Sequence, residues 1–208
     1  MTSARHGSPV ILLLAAGEGS RFGGAKQLAD ITGEPMVRRV ARMLLETDMP
    51  VIVVTGAYAD DVETVLDDLP LSVARCEDWQ LGMGNSLAYG VRELASMFPG
   101  ASGVLVCLAD QPLVDSASLS RMLQRHAQMP DRVLATGQSG TQGPPVLFPR
   151  DCFEALTLLS GAHGARAVLQ NEAARTELFT SANMLDVDTP EDLRRLLERL
   201  DGMPGRPS

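Results

Sequence analysis

Apolar and polar positions alternate along the chain in a way that switches repeatedly between strand and helix periods. Val10-Ile11-Leu12-Leu13-Leu14 is an unbroken apolar run of strand length that stops at a glycine-rich turn, the pattern of a parallel strand covered on both faces. Beyond Pro35, the residues Val37, Val40, Ala41, Leu44 and Leu45 recur at i, i+3, i+4, i+7 and i+8, which predicts a helix with one buried stripe. Val51 to Val54 is a second strand, closed by Thr55-Gly56, followed by a helix near Asp60 to Leu69 and a short strand at Leu71 to Ala74. After Gly82-Met83-Gly84-Asn85-Ser86 comes a helix with Leu87, Val91, Leu94, Ala95 and Phe98 on one face. Gly103 to Leu108 is the third strong strand, and Asp115 caps a helix carrying Leu119, Met122 and Leu123. Shorter strands are expected at Arg132 to Thr136, Pro145 to Phe148 and Met184 to Val187. A last helix carries Leu193, Leu196, Leu197 and Leu200, with Thr189 as N-cap, Pro190 in its first position and acids in its first turn.

Strands alternating with helices imply an α/β fold, a three-layer sandwich around a mostly parallel sheet. The 208 residues contain no repeat, low-complexity tract or linker, so one domain over residues 9–200 is expected, with flexible tails at 1–8 and 201–208. A formal charge of −8 argues against a nucleic-acid partner, and no apolar run approaches the roughly 20 residues of a membrane helix. Three cysteines without C-x-x-C spacing suggest neither a disulfide framework nor a zinc site, which fits a reducing cytoplasm. Of the 18 Lys and Arg residues only one is a lysine, Lys26, and it falls within the glycine-rich turn.

That turn is the first candidate for chemistry, because ligands of open α/β sheets collect at the carboxyl ends of the strands. Gly17, Gly19, Gly23 and Gly24 let the backbone approach a ligand closely, and Arg21 and Lys26 add positive charge, a combination suited to phosphate. The turn is not a dinucleotide fingerprint, since Phe22 stands where the third glycine belongs. It is not a Walker A loop either, since Gln27 follows the lysine. Asp110 follows the third strand at the same sheet edge, where a hard oxygen ligand can hold Mg²⁺ between triphosphate oxygens. Asp186 and Asp188 alternate on the expected strand before the last helix; either can be the second ligand, and Asp188 is favoured.

The segment Leu14 to Lys26 resembles the signature L-x-x-G-x-G-x-R-x-G-x-x-K of the MobA-like NTP transferase family, whose fold is Rossmann-like and GT-A-like. Leu108-Ala109-Asp110-Gln111-Pro112 and Asp186-Val187-Asp188-Thr189-Pro190-Glu191-Asp192 are similar to that family's metal-binding segments. The resemblance implies that Leu14, Ala15, Ala16, Gly17, Gly19, Ser20, Arg21 and Lys26 hold nucleotide phosphates. It also implies that Asp110 and Asp188 hold Mg²⁺, and that Lys26, Arg21 and Asp110 are the catalytic set. Within the family the chain looks most like the molybdenum cofactor cytidylyltransferases. Ala16 stands where the guanylyl branch has a second glycine, and Gly82-Met83-Gly84-Asn85-Ser86-Leu87 is similar to the cytidylyl branch's base-recognition loop, which makes Gly84, Asn85 and Ser86 candidates for the base. Gly143 and Arg166 lie in segments resembling the acceptor region, which departs from the family pattern at Pro144 and Ala162.

The expected reaction is therefore transfer of CMP from CTP to the phosphate of molybdopterin, releasing pyrophosphate, with a molybdenum hydroxylase as transient partner. An in-line attack between two anions is limited by charge, so cations near the phosphates do most of the work. Rival readings are use of GTP, a sugar or polyol phosphate acceptor, a nicotinamide-dependent oxidoreductase, or a non-catalytic cofactor carrier. His163 reads as a loop residue without metal-ligand neighbours.

Overall fold

A computed structural model of the chain describes residues 7–138, 141–180 and 185–201. Seven strands form one sheet: β1 (Val10–Leu14), β2 (Val51–Thr55), β3 (Ser72–Arg75), β4 (Gly103–Leu108), β5 (Val133–Gln138), β6 (Thr141–Pro149) and β7 (Thr176–Phe179), in the order β3-β2-β1-β4-β6-β5-β7. Strand β1 pairs in parallel with β2 and β4, and β3 extends the parallel run at one edge. Strand β6 alone runs the other way, pairing antiparallel with β4 and β5, and β7 is again parallel to β5.

The helices are α1 (Met36–Leu45), α2 (Ala59–Thr64), α3 (Met83–Met97), α4 (Ser116–Gln128), α5 (Phe153–Thr157), α6 (Arg166–Asn171) and α7 (Pro190–Asp201). Strand periodicity splits the interior in two. Leu12, Leu14 and Val54 pack with Leu87, Val91 and Leu94 of α3 on one face. Ile11, Leu13 and Val53 pack with Val37, Val40 and Leu44 of α1, Val62 of α2, and Leu119 and Met122 of α4 on the other. This is the expected three-layer α/β arrangement. No helix among the described residues is long and apolar enough to cross a membrane.

Several expected boundaries shift, for reasons that lie outside the local pattern. The helix expected to reach Leu69 stops at Thr64, and Arg38 of α1 donates to the Val65 carbonyl at 2.8 Å while pairing with Asp68, so a tertiary cap takes over from the helical ladder. The stretch Met83 to Ser86, read as a loop before a helix, is the first turn of α3 itself. Residues 185–188 form no strand; Met184 lies outside the described residues. Val187 instead inserts its side chain into a third core with Ile31, Met36 and Leu196. Strand β7 and helix α5 were not anticipated. Gly7 and Ser8, expected in a flexible tail, are tied by backbone bonds to Gly100 and Ser102.

Candidate active site

The carboxyl ends of β1 and β4 meet at a cavity of about 280 Å³, lined by Leu14, Ala15, Ala16, Gly17, Glu18, Lys26, Gln27, Met36, Trp79, Gln80, Gly82, Met83, Ser86, Leu108, Ala109 and Asp110. The glycine-rich turn folds on itself: the amides of Phe22, Gly23 and Gly24 all donate to the Gly19 carbonyl at 2.9, 3.0 and 3.3 Å. Gly19 has φ +69°, and a Cβ there would lie 2.2 Å from the Gly24 oxygen, so no side chain fits. Those three amides are spent inside the loop. The part of the turn that faces the cavity is Ala15 to Glu18, and Gly19, Ser20 and Arg21 do not line it.

The turn delivers Lys26, whose amide donates to the Gly24 carbonyl at 2.7 Å, into a one-turn 3₁₀ helix, Lys26–Leu28. Its ammonium lies 2.6 Å from Asp110 Oδ2 and 2.8 Å from Asp188 Oδ1. Arg21 reaches the other oxygen of Asp188 at 2.9 Å; its side chain is 74% exposed, against 14% for Lys26. Asp110 and Asp188 thus converge on one cation. Asp188 is the aspartate of the D-x-D pair that shares Lys26 with Asp110, while Asp186 accepts from Gln111 Nε2 at 2.9 Å.

Charge and burial oppose each other here. Burial works against the Lys26 ammonium, but the charge and hydrogen bond of Asp110 and those of Asp188 outweigh it and hold its pKa above the ordinary lysine value. Asp110 moves up as well: burial dominates, and the charge and hydrogen bond of Lys26, partly opposed by Asp186 and Asp188, do not offset it. Asp110 Oδ1 is buried without a hydrogen-bond partner. An orphaned carboxylate oxygen beside a second carboxylate is a donor set that fits Mg²⁺, which takes one or two protein carboxylates and completes its shell with phosphate oxygens and water. No group of three or more His, Cys, Asp or Glu suited to a metal exists among the described residues.

The segment carrying Asp188 is a strap. Val187 donates its amide to the Asp110 carbonyl at 2.9 Å, and Asp192 of α7 accepts from the Thr189 amide and hydroxyl at 2.9 and 2.7 Å, a cap that fixes the turn after Asp188.

Two residues that the sequence reading passed over shape the cavity. Gln27, 2% exposed, donates Nε2 to the Ala15 carbonyl at 3.0 Å and also to the Gly17 carbonyl, clamping the ligand-facing stretch from beneath. Trp79 packs beside Gly56 and Ala16; a Cβ on Gly56 would come within 2.7 Å of Trp79. As the sole tryptophan in the chain, it carried a compositional signal. Of the candidate base contacts, Ser86 lines the cavity. Asn85 turns away to donate to the Asp78 carbonyl at 2.8 Å, and the Gly84 amide is taken by the Gly161 carbonyl at 2.8 Å.

A second cavity of about 530 Å³ shares Leu14, Met83 and Leu108 with the first. Its walls are Leu87, Val106, Val146, Phe148 and Leu169, with Gln142, His163, Arg166 and Gln170 as polar members. Both acceptor candidates, Gly143 and Arg166, line it, as does Pro144. Pro144 and Pro145 sit in an irregularity of the β5–β6 pairing, between Val146 opposite Ala135 and Gly143 opposite Thr136. Neither proline has an amide to give to a ladder.

Such a site, at the strand ends of a Rossmann-like sheet, defines a nucleotidyltransferase superfamily architecture, and sequence comparison narrows it. Residues 11–177 match the MobA-like NTP transferase domain, and the chain belongs to that family. Nicotine blue oxidoreductase of Paenarthrobacter nicotinovorans is 31% identical over 199 residues, 89% of this chain and 95% of its own. Purine catabolism protein PucB of Bacillus subtilis is 34% identical over 121 residues, 56% of this chain; the match spans only 57% of PucB. Among solved structures, Rv0371c of Mycobacterium tuberculosis superposes with a TM-score of 0.79 at 26% identity, covering 93% of this chain and 99% of that one. A manganese complex of the same protein gives a TM-score of 0.74 at 26% identity, covering 92% and 98%.

Proposed function

We propose that this chain is a Mg²⁺-dependent cytidylyltransferase that moves CMP from CTP to the phosphate of molybdopterin and releases pyrophosphate. The observation that carries the reading is the Lys26 ammonium, held by Asp110 and Asp188 in a cavity that adjoins a second, larger one across Leu14, Met83 and Leu108. One cavity suits the nucleotide and the other the acceptor, with the reacting phosphates at their shared wall. That the manganese complex of Rv0371c exists supports a divalent ion in a relative of the same architecture.

In this reading Ala15 to Gly17 and Lys26 bind the triphosphate, and Ser86 meets the edge of the base. Lys26 offsets charge that builds on the α-phosphate as an acceptor phosphate oxygen bonds to it and the bond to the β-phosphate breaks. Arg21, more exposed, draws the departing pyrophosphate. Asp110 and Asp188 would hold Mg²⁺, which when bound neutralises phosphate charge. Arg166 binds the acceptor phosphate, while the apolar walls of the second cavity receive a flat ring system. A molybdenum hydroxylase as recipient of the product belongs to the same proposal. Cytoplasmic work fits as well, since the three cysteines are free and buried.

Pyrophosphate release measured with each of four NTPs, with and without molybdopterin, tests the proposal. Release with CTP only when the pterin is present is the expected result; release with a sugar phosphate instead, or with GTP, overturns it. The name of the 31%-identical relative, an oxidoreductase, favours the class of one second reading, in which the chain is an oxidoreductase and a nicotinamide cofactor is its hydride carrier. Oxidation of NADH or NADPH by an added electron-accepting substrate, with no pyrophosphate release in the NTP panel, would install it.

A further inference from the structure

We propose that Lys26 is an internal counterion that competes with a divalent metal for Asp110 and Asp188, so that metal and nucleotide are admitted together and not separately. The inference deepens the reading above, because it rests on those two carboxylates being the metal ligands. Lys26, Arg21, Asp110 and Asp188 form a cluster whose formal charges cancel. A dication arriving alone finds both carboxylates already partnered, because the Lys26 ammonium lies within 2.8 Å of each. A polyphosphate arriving alone meets a lysine engaged elsewhere. Together they resolve the conflict: the ammonium moves to the phosphates, and the carboxylates pass to the metal.

Three details favour this exchange over a static ion pair. The Lys26 backbone is pinned through its amide to Gly24, but its side chain also lines the nucleotide cavity, so the movement is a swing of a flexible four-carbon stem. Arg21 is largely exposed and can leave Asp188 at little cost. The ammonium also leaves Asp110 Oδ1 buried and without a partner, so the arrangement with lysine is not the one that satisfies this carboxylate. By linkage, whatever nucleotide does for metal affinity, metal must do equally for nucleotide affinity.

The test is Mn²⁺ binding followed by electron paramagnetic resonance on the full chain. Lys26→Gln should bind Mn²⁺ without nucleotide about tenfold or more tightly than the native chain, the usual scale of such couplings. Lys26→Arg, which keeps the charge, should stay near the native affinity, and Asp110→Asn in the Lys26→Gln background should lose the ion. CTP should tighten Mn²⁺ binding by the native chain once formation of the free Mn²⁺–CTP complex is subtracted. If a folded Lys26→Gln, checked by circular dichroism, binds no tighter than the native chain while Asp110→Asn still removes the ion, competition is wrong and the metal assignment stands. Mn²⁺ binding that survives Asp110→Asn overturns both. Should Lys26→Gln fail to fold, equal Mn²⁺ affinity of the native chain with and without CTP is the overturning result.

Discussion

The amide of Val187 donates to the carbonyl oxygen of Asp110 at 2.9 Å, and this single backbone bond places two carboxylates from distant parts of the chain on one ammonium. Val187 is fully buried among Ile31, Met36 and Leu196, so the bond is backed by apolar packing and not left to a mobile loop. Gln111 reinforces it one residue away by binding Asp186. Precision at the site therefore comes from a strap docked onto a strand end.

Replacing Lys26 by Ala should lower pyrophosphate release by at least about a hundredfold, the scale of losing one preorganised charge in a sheltered site. Arg21→Ala should cost clearly less, since an exposed guanidinium is screened by solvent. Single-turnover rates of the two variants check the ranking, and near-native turnover in Lys26→Ala would remove the lysine from the chemistry.

Gln27→Leu should leave the carbonyls of Ala15 and Gly17 without their side-chain donor. The buried Ala15 carbonyl left bare costs about 1–3 kcal/mol, while exposed Gly17 can turn to water. At roughly 2–4 °C per kcal/mol for a chain of this size, a melting shift of several degrees is expected by calorimetry. Because the clamped residues face the nucleotide cavity, KM for the nucleotide should rise more than kcat falls.

Trp79 lines the same cavity and is the only tryptophan, so emission excited at its absorption band reports on that wall alone. Titration with CTP should change its intensity or wavelength saturably. A molybdopterin-free control with a sugar phosphate should not, since the second cavity does not include Trp79.

His126 gives the fold a pH dependence of its own. The ring is 2% exposed, its Nδ1 has no partner, and Nε2 lies 3.0 Å from the Ser102 hydroxyl. Burial holds its pKa below the ordinary 6.5. The unfolded chain then takes up the proton first, so this contribution to stability is intact above about pH 6.5 and is lost as pH falls toward the depressed native value. Urea midpoints measured between pH 7.5 and 5.5 should fall for the native chain and fall less for His126→Gln.

Strands β1 and β4 were legible to the residue, because runs buried on both faces leave no ambiguity of period. The lysine, the glycine-rich turn and Asp110 were legible from spacing. What escaped is set by bonds between residues far apart in sequence. Arg38 shortens α2, the Gly161 carbonyl draws the Gly84 amide into the first turn of α3, and Asp110 makes a strap of residues that alternate like a strand. Gln27 was missed for the same reason: a glutamine after a lysine carries no local signal that its amide will grip two backbone carbonyls. Strand β7 is a half-exposed edge of four residues, too short for its period to show.

Strand β6 runs against its neighbours, so it begins where β4 ends, and Gln142, Gly143 and Pro144 join the second cavity from the start of a strand. The first cavity is lined instead from the finishing ends of β1 and β4, on separate stretches of chain. Under the proposed function, a change confined to the β5–β6 hairpin would alter the acceptor cavity and leave the strand ends that line the nucleotide cavity as they are.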